Sequence, residues 1–152
     1  LDRVGHLVFL DAAQPQTGEA LSDIAYTMMN AAFAGMRVVD GIEMVLFLDP
    51  DATNLYGIDD PETVAWMKPR LKPHPWACFS QKLSMANEEA VRALPRTIIN
   101  CTETLTIRPP EFRHRAFEGD HVFEIDTGHD LMITEPRKVA DMLLEVVARY
   151  PA

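Results

Sequence analysis

Three short apolar runs and one amphipathic stretch dominate the pattern along the chain. Leu7-Val-Phe-Leu10 is continuous and bounded by polar residues, which predicts a strand buried on both faces with Asp11 at its carboxyl end. Thr97-Ile-Ile-Asn-Cys101 predicts a second buried strand, and Val122, Phe123 and Ile125 supply the β-branched and aromatic content of a third. After Pro136, apolar Val139, Met142, Leu143, Val146 and Val147 recur at i, i+3, i+4, i+7 and i+8, so the proline opens a helix.

Between the first two runs the pattern is mostly helical. Turn formers at Gln14-Pro-Gln-Thr-Gly18 lead into a predicted helix over about residues 21–34. Asp40-Gly41, flanked by β-branched residues, predicts a tight hairpin pairing residues 36–39 with 42–48. Asp60-Pro61-Glu62 combines a capping side chain, a proline and an acidic first turn, and starts a helix running through Trp66 to about Pro69. A second helix is expected from near Pro75, carrying Trp76, Phe79 and Leu83, and Asn87 caps a third to Leu94. A further helix is expected from Pro109 to about Phe117.

The order is therefore a core strand in residues 1–11, a long insertion over 12–94, and a βαβα ending over 95–152. Such an ending implies an α/β fold with a parallel sheet. A sheet of two or three strands lacks neighbours, so the chain is expected to be part of a larger fold. Leu1-Asp2-Arg3 is not a natural start, which points to an upstream segment.

Composition narrows the function classes. With 152 residues, 47% hydrophobic and 24% charged, the chain is ordinary for a soluble globular domain with a proper core. A formal charge of −9 argues against nucleic acid and anionic membrane surfaces, both of which select basic patches. The longest apolar runs, such as residues 44–48, are too short to span a bilayer, and no signal peptide is evident. Cys78 and Cys101 form no motif, which suggests reduced thiols in the cytoplasm.

Gly128 lets the backbone turn sharply after the third strand, presenting His129 at the edge of the sheet on a strand-to-helix turn. Open α/β sheets expose catalytic groups at such places. His114, His121, His129 and Asp126 have spacings that match no compact metal site, so no metal is expected. Arg108, Arg113 and Arg115 read as a solvated helix face.

Leu7-Val-Phe-Leu-Asp11 with Gln14-Pro15, Pro95-Arg-Thr-Ile-Ile-Asn-Cys-Thr102, and Asp126-Thr-Gly-His-Asp-Leu-Met-Ile-Thr-Glu-Pro136 together resemble α/β-hydrolases. The resemblance is to the esterase-like subfamily of plant methylesterases, hydroxynitrile lyases and their bacterial relatives. Asn54-Leu-Tyr56, Pro61-Glu62, Trp66, Arg70-Leu71 and Phe79 resemble the cap of that subfamily, with its small antiparallel ribbon. Nearly the whole chain is covered, from the sixth core strand of the fold to its last helix. This resemblance implies the C-terminal part of an α/β-hydrolase plus an inserted helical cap. In that fold the nucleophilic serine sits in a Gly-x-Ser-x-Gly elbow on the strand before residues 7–10. Ser22, Ser80 and Ser84 have no such context, so the nucleophile is expected on an N-terminal portion carried outside this chain.

The resemblance implies that His129 is the general base of a serine esterase that needs no cofactor. The family commonly places its triad acid in the loop after the strand ending at Cys101. Here that stretch reads Thr102-Glu-Thr-Leu-Thr106, with Glu103 one step off register. Asp11 is the preferred acid, as in α/β-hydrolases whose carboxylate has moved one strand over, and Glu103 is the alternative. Trp66, Trp76, Phe79, Met28 and Met29 are expected to line an apolar substrate pocket. The expected partners are a small, fairly apolar ester and the N-terminal portion, with a homodimer also open. One competing reading is a non-catalytic binding protein on the same scaffold, which an irregular residue 102–106 loop would favour. The other is a hydroxynitrile-lyase-like enzyme, but Asp130 stands where those lyases carry a lysine and would repel cyanide.

Overall fold

Alternating backbone hydrogen bonds join the three apolar runs side by side. The computed structural model describes residues 3–45 and 56–150. Residues 54 and 55 of the cap motif, and the 46–48 end of the expected ribbon strand, lie outside them. The chain divides into two compact units: one is Leu1–Ala13 with Met85–Ala152, the other Gln14–Ser84.

In the first unit, β1 is Leu7–Leu10. The second unit follows with α1, Leu21–Ile24, and α2, Tyr26–Ala34, where sequence reading expects one helix. The break falls at Ala25, whose φ of −118° and ψ of 36° leave the helical region. Strands β2, Arg37–Val39, and β3, Ile42–Val45, form the expected antiparallel hairpin. Asp40 and Gly41 both take positive φ, 50° and 79°, as a two-residue primed turn requires. Helix α3, Pro61–Met67, starts at Asp60, whose carboxylate accepts the Thr63 N–H at 2.8 Å, and a 3-10 turn, Lys68–Arg70, closes it.

The helix expected from Pro75 is mostly absent. His74–Pro75 instead forms β4, pairing with β3, and only Ala77–Ser80, α4, is helical. Leu83 lies beyond it, its N–H donating to Glu19 O at 2.8 Å. An extended pairing partner overrides the helical spacing of Trp76, Phe79 and Leu83.

The chain then returns to the first unit through α5, Glu88–Arg92, whose Asn87 N-cap makes no side-chain cap bond, contrary to the expected capping role. Arg96 bonds back to the Val91 and Arg92 carbonyls, which ties this helix to the strand after it and ends the second unit earlier than residue 94. Strand β5, Arg96–Cys101, leads into α6, Thr102–Ile107, and a 3-10 stretch, Pro110–Phe117. Strand β6, His121–Ile125, is followed by a single turn, α7, Leu131–Thr134, and the long α8, Pro136–Arg149.

The sheet order is β1-β5-β6, parallel throughout, with Leu10 opposite Ile99 and Ile99 opposite Phe123. Ile99, Cys101, Ile125, Leu131 and Val139 form the core on one face, joined by Val8, Leu10, Phe123 and Met142. On the other face Ile98 and Asn100 are fully buried, and Asn100 Nδ2 donates to Ala116 O at 2.7 Å. Strand β1 is half-buried rather than covered on both faces, and it stands at one end of the strand order. Helix α8 buries Val139 and Val146, while Val147 stays 66% exposed. Among the described residues no helix is long and apolar enough to cross a membrane.

Gly119 shapes the entry to β6. A Cβ there would stand 2.9 Å from His121 O and 3.1 Å from an Ile98 side-chain carbon. The first contact is backbone in a paired strand and cannot swing aside. Gly119→Ala should therefore destabilise the fold by roughly 1–3 kcal/mol, read as a lower urea midpoint at unchanged slope. An unchanged midpoint would show that the β6 entry relaxes freely.

Candidate active site

A parallel sheet points all its strand tips the same way, and here the carboxyl ends of β1, β5 and β6 converge. Asp11 directly follows β1. Its φ of 47° is left-handed, a conformation a short polar side chain tolerates better than most. The amide of Asp11 donates to Ile99 O at 2.8 Å, fixing the bend against β5. The carboxylate that results is almost completely buried, at 1% side-chain exposure.

Four groups satisfy it. The Cys101 N–H donates to Oδ1 at 3.2 Å from the end of β5. The Thr104 hydroxyl, on the first turn of α6, lies 2.7 and 2.8 Å from the two oxygens and shares its proton between them. Arg108 at the end of α6 places Nη2 2.9 Å from Oδ1 and donates through Nη1 to Ala12 O at 3.1 Å. His129 Nδ1 stands 2.7 Å from Oδ2.

Burial alone would push the Asp11 carboxyl up, but His129, Thr104, Arg108 and the Cys101 amide together hold it below the ordinary carboxylate range. The hydrogen bond to Asp11 raises His129 above the ordinary imidazole value, against the opposing effect of burial. Burial, reinforced by Asp11, pushes the Cys101 thiol up to about 12, so it stays protonated. Burial also raises Asp130, while His129 pulls it down.

The turn carrying His129 is braced from both sides. Thr127 and Thr134 share a hydroxyl hydrogen bond of 2.6 Å, and the Thr102 hydroxyl donates to Asp126 at 2.8 Å, linking the tips of β5 and β6. Gly128 is buried and does not use the left-handed backbone, so its expected conformational role is replaced by this bracing. A carboxylate on Nδ1 keeps the proton there and leaves Nε2 as the basic nitrogen. Among the described residues nothing bonds Nε2, and the side chain is 39% exposed. The arrangement can therefore take a proton at Nε2 and stabilise the resulting cation through Asp11.

The sequence-derived candidates divide. Asp11 and His129 meet; Glu103 is exposed on the first turn of α6, with no side-chain bond to His129. The 102–106 stretch is a helix, not an irregular loop, because Thr104 turns inward to Asp11. Arg108 is no solvated residue, since its guanidinium caps that carboxylate, and Arg115 is buried. Thr104 and Arg108 are thus missed by sequence reading. Their spacing of four, one helical turn, was the available signal. In the second unit Trp76 packs against Phe33 and Phe79, at ring separations of 4.9 and 5.9 Å. Trp66 is 51% exposed, with the Arg70 guanidinium 4.4 Å over its ring. Met28 is half-buried and Met29 buried on α2. Among the described residues no cluster of His, Cys, Asp or Glu suits a metal ion.

No family model matches the sequence, and no curated protein matches it. Solved structures do match. Polyneuridine aldehyde esterase superimposes with a TM-score of 0.65 at 20% identity, over 95% of this chain and 63% of its own. Tomato methylketone synthase I, bound to 2-tridecanone, gives 0.67 at 19% identity, over 98% of this chain and 63% of its own. An extracellular α/β-hydrolase from a Paenibacillus species, described as sharing structural and functional homology with tobacco salicylic acid binding protein 2, gives 0.65 at 16% identity, over 95% and 62%. The chain thus spans less than two thirds of the length of each of these structures. With its parallel β1-β5-β6 sheet, it has the fold of the C-terminal part of an α/β-hydrolase.

Proposed function

We propose that the chain is the C-terminal part of a serine hydrolase that cleaves a small, fairly apolar ester or related acyl substrate. The observation that carries this reading is the 2.7 Å contact between His129 Nδ1 and the buried Asp11 carboxylate. In the proposed reaction a serine on the N-terminal portion gives its proton to His129 Nε2 as its oxygen attacks the acyl carbon. The imidazolium is stabilised by Asp11 and then protonates the departing alcohol, and water repeats the cycle to free the acid. No step requires a cofactor. The second unit is proposed as the cap, with Trp66, Trp76, Phe79 and Met28 as apolar contacts for the substrate. The 2-tridecanone held by the methylketone synthase neighbour supports an apolar substrate. Free Cys78 and Cys101 suit a cytoplasmic setting.

The lyase alternative is disfavoured by Asp130, a carboxylate beside His129 that would oppose an anionic leaving group. The case for a non-catalytic binding protein weakens with its motive, because the 102–106 segment is an ordered helix that supports Asp11.

In the protein carrying the nucleophile, His129→Ala should lower kcat on an activated ester by at least about a thousandfold while circular dichroism stays unchanged. Near-normal turnover would reject the assignment. Asp11→Asn should lose on the order of ten-thousandfold in kcat and Glu103→Gln less than about twofold, and the reverse ranking would move the acid to Glu103. The base works only when neutral, and Asp11 raises its pKa. The acid limb of kcat/KM should therefore fall above the ordinary 6.5 of imidazole and shift to lower pH in Asp11→Asn. A limb below that value in the unmodified protein would contradict the pairing.

A further inference from the structure

The Asp11 carboxylate faces a permanent cation that the proton relay does not require. Arg108 Nη2 lies 2.9 Å from Oδ1, while the opposite oxygen, Oδ2, takes His129. One carboxylate is thus clamped between a guanidinium and an imidazole. The arginine side chain is only 13% exposed, so water screens it weakly. Its position is over-determined: Nη1 donates to Ala12 O at 3.1 Å, and Arg113 Nη2 donates to the Arg108 carbonyl at 3.2 Å.

We infer that Arg108 is a positioning and tuning residue for the base, holding the Asp11 carboxylate in register while its fixed charge limits how strongly that carboxylate can favour imidazolium. This inference rests on the proposed role of the Asp11–His129 pair and adds a regulator to it. A buried aspartate paired with histidine alone would raise the imidazole further, and a protonated base cannot accept the serine proton. Arg108 answers that problem by sharing the carboxylate. Its cation repels imidazolium and keeps Asp11 ionised, so the ring stays neutral over more of the working pH range. The direction of its influence on both groups agrees, lowering Asp11 and lowering His129.

The other charged groups near the pair come from every neighbouring element. Asp130, on the same turn as His129, favours the cation, and Cys101 at the tip of β5 stays protonated. Glu103 on α6 is exposed, and its charge reaches Cys101. Among these groups Arg108 is the one cation besides His129 itself. Thr104 supplies a neutral donor to the same oxygens, which separates holding the carboxylate from tuning its charge.

The test is the titration of His129 followed by proton–carbon NMR in the protein, with its resonances assigned by their loss in His129→Asn. Arg108→Met should raise the His129 midpoint by about one pH unit, whereas Arg108→Lys, which keeps the charge, should titrate below Arg108→Met. Arg108→Gln, which retains donors without charge, serves the same comparison if the methionine variant does not fold. A midpoint unchanged or lowered on removing the charge overturns the inference. Asp11→Asn separates it from the reading beneath: if that variant leaves His129 unmoved, the Asp11–His129 pairing itself fails. If Asp11→Asn lowers the midpoint and Arg108→Met does not raise it, only the role of Arg108 falls. In the nucleophile-bearing protein the acid limb of kcat/KM should move with the NMR midpoint, a readout that simple loss of packing would not shift.

Discussion

A carboxylate taken out of water must be given back, by protein donors, the hydrogen bonds and countercharge that water supplied. Asp11 receives them from the end of β5, from both ends of α6 and from the turn after β6. Those elements come together because the sheet is parallel, so each strand delivers its tip to the same edge. The left-handed backbone at Asp11 is part of this arrangement, since strain of that kind persists where surroundings over-determine it. The core beneath, from Ile99 and Cys101 through Ile125 to Leu131, keeps the tips in register.

The electrostatics follow from that single buried charge. Asp11 stays ionised, His129 becomes a stronger base, and the neighbouring Cys101 thiol is driven out of the range where it could act as a nucleophile. In the proposed reading the chemistry concentrates on Nε2 of His129, the ring atom that no described residue engages. The Asp11–His129 pair would then supply two members of a triad, which fits a chain spanning about 63% of the esterase and synthase structures it resembles in fold.

Much of this was legible from residue order alone. The runs at Leu7–Leu10 and Thr97–Cys101 read as strands from their shortness, their β-branched content and the turn signals around them, and both form. Asp40-Gly41 and Asp60-Pro61 carry their turn and cap chemistry locally, and both form. What escaped was non-local. The two-residue β4 exists only because β3 offers it an edge, and no periodicity announces that. Likewise Thr104 and Arg108 look like ordinary loop and surface residues until Asp11, more than ninety positions earlier, is folded against them. The apolar stripe after Pro136 was read as a helix, and α8 forms there, with Val139 and Val146 buried and Val147 exposed.

The most direct test is a crystal structure of the protein that carries the nucleophile, after reaction with a fluorophosphonate. The account predicts a phosphonylated serine, outside the present chain, with its oxygen within hydrogen-bond distance of His129 Nε2 and with Nδ1 still on Asp11. An adduct remote from His129, or a protein that forms none, would contradict it.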